Sequence, residues 1–368
     1  LFDVQGSRYI DLAGGIAVNL LGHASGQIGE ALAEQAGRLV HVSNLFRTDL
    51  AARTAERLLA IAGMERLFFA NSGAEANECA IKCARRRGTA IDPAKYRVVS
   101  FQGSFHGRVG FALAATGQER VRQGFGPLPE GFVHVPLNDA ARLEQECDER
   151  LGALIIEPIL GEGGIKRVEP ALIEQARRLC DRHDALLIFD EIQTGCGRTG
   201  SFFHYQQLAV VPDIVTTAKG LGGGLPVGAM LAGARAATVF SPGDHGTTFG
   251  GNLLALAAVN AVLESLESRD FLAEVVRKGQ AVRARLAQLV DDAGSPVLEL
   301  RGCGLMLGMR LDPDALSAKD AFLRAAAAGV LTAPAGDNVL RVLPALNIEE
   351  PILQEGLELL AGVLAGRC

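Results

Sequence analysis

The chain has 368 residues, 48% of them apolar and 21% charged, with a formal net charge of -6. That length suits two or three domains or one large enzyme subunit with a sizeable core. The acidic balance argues against an electrostatic nucleic-acid partner, and no apolar run of about 18 residues offers a membrane span.

Seven cysteines at irregular spacing (Cys79, Cys83, Cys147, Cys180, Cys196, Cys303 and Cys368) do not read as a disulfide framework. Reduced thiols in a cytoplasmic protein are the simpler expectation. Cys79 and Cys83 stand one helical turn apart without a His pair, so a zinc site is not expected. The arginines 85–87 read as the solvated end of an amphipathic helix. Leu1 to Arg8 does not resemble a signal peptide, and a further N-terminal segment is expected ahead of Leu1.

In chain order, Asp3 to Asp11 predicts a hairpin-like start turning at Gln5-Gly6, followed by a helix from Gly26. Five stretches then share one pattern of apolar run, polar residue or tight turn, and helix: Arg66–Asn71, Arg97–Gln102, Ala153–Glu157, Leu186–Asp190 and Asp213–Thr217. Apolar runs without alternation, separated by helical segments, predict parallel strands buried on both faces. Residues 46–260 are therefore expected to form one α/β domain. Beyond them come a helix over Phe271–Asp291 and strands over Val297–Arg301, Leu305–Leu311 and Val339–Val342. The flanks 1–45 and 261–368 are expected to make one smaller α/β domain.

In open α/β sheets, ligands bind beyond the carboxyl ends of the strands, where the polar residues of these runs fall. Lys219 follows the Asp213–Thr217 run and precedes four glycines within Gly220–Gly224. A buried lysine with space around it can form a Schiff base with an aldehyde. Asp190 ends another run, and a strand-end aspartate paired with such a lysine suggests pyridoxal phosphate: the lysine holds the aldehyde, the aspartate the pyridine nitrogen. In isolation Asp190 reads equally well as a helix cap or half of an ion pair. Gln193 could donate to the phenolic oxygen. Ser72-Gly73-Ala74 opens a helix whose free N–H groups and dipole suit a phosphate, or is simply a Ser N-cap. Phe105 could stack on an aromatic cofactor, and Arg108 could grip a carboxylate. Gly246 to Asn252, with Thr247 and Thr248, reads as an anion-binding loop or as a plain turn. Glu162, on a glycine-rich loop, and Arg341, on the late strand, could pair if they face one pocket.

Six ordered motifs carry a resemblance: Gly14–His23, Asn71–Glu78, Phe105–Arg108, Asp190–Gly200, Thr216–Gly228 and His245–Asn252. Together they resemble the class III, fold-type I pyridoxal-phosphate aminotransferases over nearly the whole chain, and within that family the acetylornithine group. The resemblance implies a large, mostly parallel sheet domain flanked by helices and a smaller α/β domain from both chain ends. It implies that Lys219 carries the cofactor and shuttles the proton, Asp190 pairs with the pyridine nitrogen, and Gln193 sits near the phenolic oxygen. Ser72, Gly73 and Ala74 would line the phosphate site, with Phe105 stacked on the ring. Thr248 would reach the phosphate of a neighbouring subunit's cofactor and Thr247 its substrate, in a cytoplasmic homodimer. Arg108 would hold the α-carboxylate, and Glu162 with Arg341 would be the switch that lets one pocket take both an ω-amine and glutamate. The implied reaction moves the δ-amine of N2-acetylornithine to 2-oxoglutarate, in arginine biosynthesis.

Ornithine aminotransferases are similar in nearly the same degree, but carry a tyrosine where this chain has Gly15. Departures from the pattern fall at Val109, Leu253 and Cys303. Other ω-amine donors (succinylornithine, ornithine, 4-aminobutyrate, succinyldiaminopimelate) are the near alternatives. An aminomutase and a non-catalytic binding protein are the distant ones.

Overall fold

The computed structural model describes residues 1–292 and 294–366; Cys368, expected to be a reduced thiol, lies outside them. The other six cysteines are free, five of them buried. Among the described residues no helix is long and apolar enough to cross a membrane.

A seven-stranded sheet forms the centre, in the order Arg66–Ala70, Gly228–Ala232, Ile214–Thr217, Leu186–Asp190, Leu151–Ile156, Arg97–Phe101 and Phe132–Val135. The last five run parallel to one another. Leu151–Ile156, Leu186–Asp190 and Ile214–Thr217 are buried at every position, as unbroken apolar runs require. The five expected strands do run in one direction, but the expectation that each is buried on both faces needs one correction. Arg66–Ala70 pairs only with Gly228–Ala232, and that strand runs antiparallel to both of its neighbours. Arg66–Ala70 is therefore an edge strand, and four of its five residues are only partly covered or exposed.

The helix Gly73–Ile91 packs on this sheet through Ala76, Ala80, Ile81 and Ala84, an i, i+4 spacing that makes one apolar face. Alanines let its axis come close, and Cys79 and Cys83 fill space there as small hydrophobes. Ser72 caps its start, its hydroxyl accepting from the N–H of Glu75.

A four-stranded antiparallel sheet follows, in the order Val297–Cys303, Met306–Leu311, Val339–Val342 and Ala333–Ala335. The N-terminal turn at Gln5-Gly6 closes a bridge between Phe2 and Arg8, with Gly6 at φ +87°. Ile10–Asp11 then pairs in parallel with Val330–Leu331, and the Leu12 carbonyl accepts from the N–H of Leu343. The helix Gly26–Arg38 instead lies on Leu253–Leu266, where Gln27 donates to the Ala261 carbonyl. That second helix runs unbroken through residue 260, where the sequence suggested a boundary.

Candidate active site

The strands Leu186–Asp190 and Ile214–Thr217 are neighbours, with Asp190 in register with Thr216. Asp190 thus ends one strand, and Lys219 stands two residues past the end of the next, at the same edge of the sheet. Both line one cavity of about 520 Å³, as do Ser72, Gly73, Ala74, Phe105, Arg108, Glu162 and Gln193. That volume suits a cofactor together with a small substrate.

Lys219 has φ +45°, a left-handed backbone unusual for a residue with a side chain. The turn it begins, through Gly222 and the left-handed Gly223, aims the amine back into the cavity. Its ε-amine makes no hydrogen bond or ion pair among the described residues. Burial pushes its pKa down, with Glu162 opposing and Arg341 adding to the fall. Burial therefore favours the neutral amine relative to an exposed lysine.

Asp190 is held from three sides. Its Oδ2 accepts from Asn77 Nδ2 at 2.7 Å and faces His106 Nδ1 at 2.8 Å, while its Oδ1 accepts from the Ile192 N–H at 3.1 Å. Asn77 is itself fixed, since its Oδ1 accepts from the Thr216 hydroxyl at 2.7 Å. Asn77 and His106 were given no separate role by the sequence. Asn77 had one legible signal, a polar residue on the apolar face of its helix. His106 stood in a quoted motif without an assigned partner.

At the phosphate end, the Gly73 and Ala74 N–H groups lie in the first helical turn, where no intrahelical carbonyl reaches them. A Cβ on Gly73 would come within 2.7 Å of Ile192, so glycine alone fits between that side chain and the cavity. The Arg108 guanidinium sits 5.7 Å from the centre of the Phe105 ring, on the exposed side of the cavity. The buried Glu157 carboxylate accepts from the N–H groups of Phe105 and Gly161, tying the two loops that bear Phe105 and Glu162. Burial pushes Glu157 up, and His106 opposes the rise.

Glu162 and Arg341 meet. Arg341 Nη1 lies 2.6 Å from Glu162 Oε1, and Nη2 lies 3.2 Å from Oε2, a bidentate pair. Arg341 is 1% exposed. Gln193 reaches both, at 3.4 Å each. Burial works to raise the Glu162 pKa, but the adjacent guanidinium outweighs it and holds the carboxyl below its usual range.

Thr247 and Thr248 do not line this cavity, although Thr247 touches Asn71, which does. The Thr247 hydroxyl accepts from Asn71 Nδ2 at 2.9 Å, and its carbonyl accepts from Asn44. Thr248 is exposed, as is the ring of Phe249 beside it.

The profile of the family described as aminotransferase class-III matches residues 1–364. The chain belongs to this family. It is 46% identical over 358 residues to an acetylornithine aminotransferase of Agrobacterium fabrum, covering 97% of this chain and 89% of that protein. It is 44% identical over 359 residues to a succinylornithine transaminase of Photorhabdus laumondii, again covering 97% and 89%. The crystal structure of an N-acetylornithine aminotransferase from Stenotrophomonas maltophilia superposes with a TM-score of 0.86 at 40% identity, covering 99% of this chain and 93% of that one.

Pyridoxal 5'-phosphate is the cofactor of this family. The cavity has the donors it needs: an unpartnered amine at Lys219, a buried carboxylate at Asp190, and free helix N–H groups beside Gly73. His106 Nε2 is a further buried polar atom without a partner, on the wall of the same cavity.

Proposed function

We propose that this chain transfers the δ-amine of N2-acetylornithine to 2-oxoglutarate. The observation that carries the proposal is the Glu162–Arg341 pair in the cavity that also holds Lys219. A site serving two half-reactions must take an amine whose reacting carbon bears no carboxylate, then a dicarboxylate whose reacting carbon does. Paired, Glu162 and Arg341 present little net charge to the first. Opened, Arg341 grips the carboxylate beside the reacting carbon of the second. The identity to acetylornithine aminotransferases, 43–46% across the chain, supports the donor.

In this reading, Lys219 and Asp190 hold the two ends of the cofactor ring and Phe105 covers its face. The Gly73 and Ala74 N–H groups take the phosphate, beside Ser72, and Gln193 faces the phenolic oxygen. When bound, the cofactor supplies an aldehyde for the donor amine and a ring that accepts electron density from the adjacent carbon. Asp190, its two oxygens held by Asn77 and the Ile192 N–H, would face the ring nitrogen and favour a proton there. The Nζ of Lys219, its pKa lowered by burial, would take the proton from the amine-bearing carbon and deliver it to the adjacent cofactor carbon. Arg108 at the open side receives the α-carboxylate. Thr247 and Thr248, which do not line their own cavity, would complete the site of a second copy in a cytoplasmic homodimer.

A panel of initial rates with 2-oxoglutarate tests the donor. N2-acetylornithine should exceed ornithine and 4-aminobutyrate in kcat/KM by about tenfold or more, the scale on which one wall of a pocket discriminates. A preference for either of those donors would refute the proposal. The succinylornithine transaminase relative makes N2-succinylornithine the second reading, and the same panel decides between them.

A further inference from the structure

Arg198 is 1% exposed and its charge has no carboxylate partner among the described residues. Its Nη1 alone makes contacts, donating to the Leu305 carbonyl at 3.0 Å and the Pro344 carbonyl at 2.6 Å. Its Nε and Nη2 have no hydrogen-bond partner among the described residues. Burial pushes its pKa down to about 10. A buried cation held only by carbonyls is costly, and an apolar side chain of similar length would fill the space at lower cost.

The two carbonyls have a definite place. Leu305 precedes the strand Met306–Leu311, and Pro344 follows Val339–Val342, which pairs with it through Leu307 and Val342. Arg198 therefore clamps one end of this strand pair, three residues beyond Arg341. Its own mount is stiff. The buried Glu191 carboxylate accepts from the Thr194 hydroxyl and from the N–H groups of His204 and Tyr205, each at 2.7 Å. Cys196 and Gly197 turn the chain in left-handed conformations, and the Arg198 carbonyl accepts from the Leu305 N–H at 3.0 Å. A Cβ on Gly304 would lie 2.7 Å from that carbonyl, so glycine there permits the approach. The loop that carries this mount begins at Asp190 and includes Gln193, which touches Arg341.

We infer that Arg198 is a positioning residue for acceptor binding: by gripping Pro344 it fixes the strand end that aims Arg341 at Glu162 and at the acceptor's carboxylate beside the reacting carbon. It rests on the reading of Arg341 given above. A bidentate contact loses strength with displacements well below 1 Å, whereas the donor half-reaction does not call on Arg341's free guanidinium.

The test uses the cofactor-loaded enzyme and two readouts. Glutarate, an unreactive dicarboxylate, is titrated by calorimetry, and each half-reaction is followed in single turnovers by absorbance. Arg198→Met should weaken glutarate and raise the 2-oxoglutarate concentration for half-maximal rate by about tenfold, leaving the donor half-reaction within about twofold. Arg198→Lys, which keeps the cation, should recover part of the loss. A parallel loss in both half-reactions, the mark of a merely structural role, or no change in glutarate affinity, overturns the inference. Should the methionine variant fail to fold, Arg198→Lys is read alone, with a rise of about threefold expected and the same overturning results. Arg341→Met separates the premises. If it is acceptor-selective and the Arg198 variants are not, this inference falls alone. If it slows both half-reactions alike, the switch reading and this inference fall together.

Discussion

Replacing Glu162 by glutamine tests the switch, and its sign is counterintuitive: removing an active-site carboxylate should tighten dicarboxylate binding. In the resting site Glu162 occupies Arg341 in a two-point contact at 2.6 and 3.2 Å. A dicarboxylate must displace it, so the stabilisation of the internal pair is subtracted from that of the external one. Glutamine keeps the shape and one acceptor but not the charge. A hydrogen bond to a charged group contributes about 1.5–3 kcal/mol, against about 0.5–1.5 for a neutral one. The difference, about 1–1.5 kcal/mol, predicts a glutarate inhibition constant about five- to tenfold lower in Glu162→Gln. The donor half-reaction should move the other way, because an uncompensated guanidinium would repel the cationic amine as it enters. Competitive inhibition against 2-oxoglutarate gives the first number, and single turnovers with the donor give the second. An unchanged or raised inhibition constant for glutarate would refute the displacement argument.

Three further outcomes follow from the geometry. Asp190→Asn places an amide against Asn77 Nδ2, His106 Nδ1 or the Ile192 N–H, all set to face a carboxylate. Single-turnover proton transfer should slow by at least about 100-fold, and normal rates would sink the assigned role. Gly73→Ala sets a Cβ 2.7 Å from Ile192 and forces that side chain toward the cavity, an overpacking of about 1–3 kcal/mol. Cofactor should then dialyse away about tenfold more readily; unchanged retention would show the approach to be slack. Glu191, pushed by burial from its ordinary 4.5 to about 7, keeps a proton in the folded chain that the unfolded chain has lost. Its contribution is complete below about pH 4.5 and lost as pH rises to about 7, up to about 3 kcal/mol at 1.36 per unit. The stability difference between wild type and Glu191→Gln in urea should shrink by that order across this window, and a pH-independent difference would contradict it.

How much of this was legible before the structure varies with the physics behind each residue. The buried parallel strands were visible because runs such as Leu186–Asp190 are apolar at every position but the last. Gly228–Ala232 was not visible: glycine, two alanines and a methionine among its five residues have low strand propensity, and its environment, not its side chains, makes it a strand. That omission hid the antiparallel strand that lies between Arg66–Ala70 and the rest of the sheet. Asn77 was quoted only within a phosphate motif because asparagine is usually a surface residue. Its buried amide, shared between Asp190 and Thr216, shows that the helix opening at Gly73 also fixes the carboxylate at the opposite end of the cavity. One helix thus presents N–H groups to one end and an amide to the other. This sets the spacing between them mechanically, through a rigid element anchored on the sheet by Ala80 and Ala84. Arg341 and Glu162, 179 residues apart, could be paired only conditionally from sequence. Their contact depends on how the four-stranded sheet seats against the loops that follow Ile156 and Asp190, a relation that no local pattern encodes. It is at that seam that Arg198 sits.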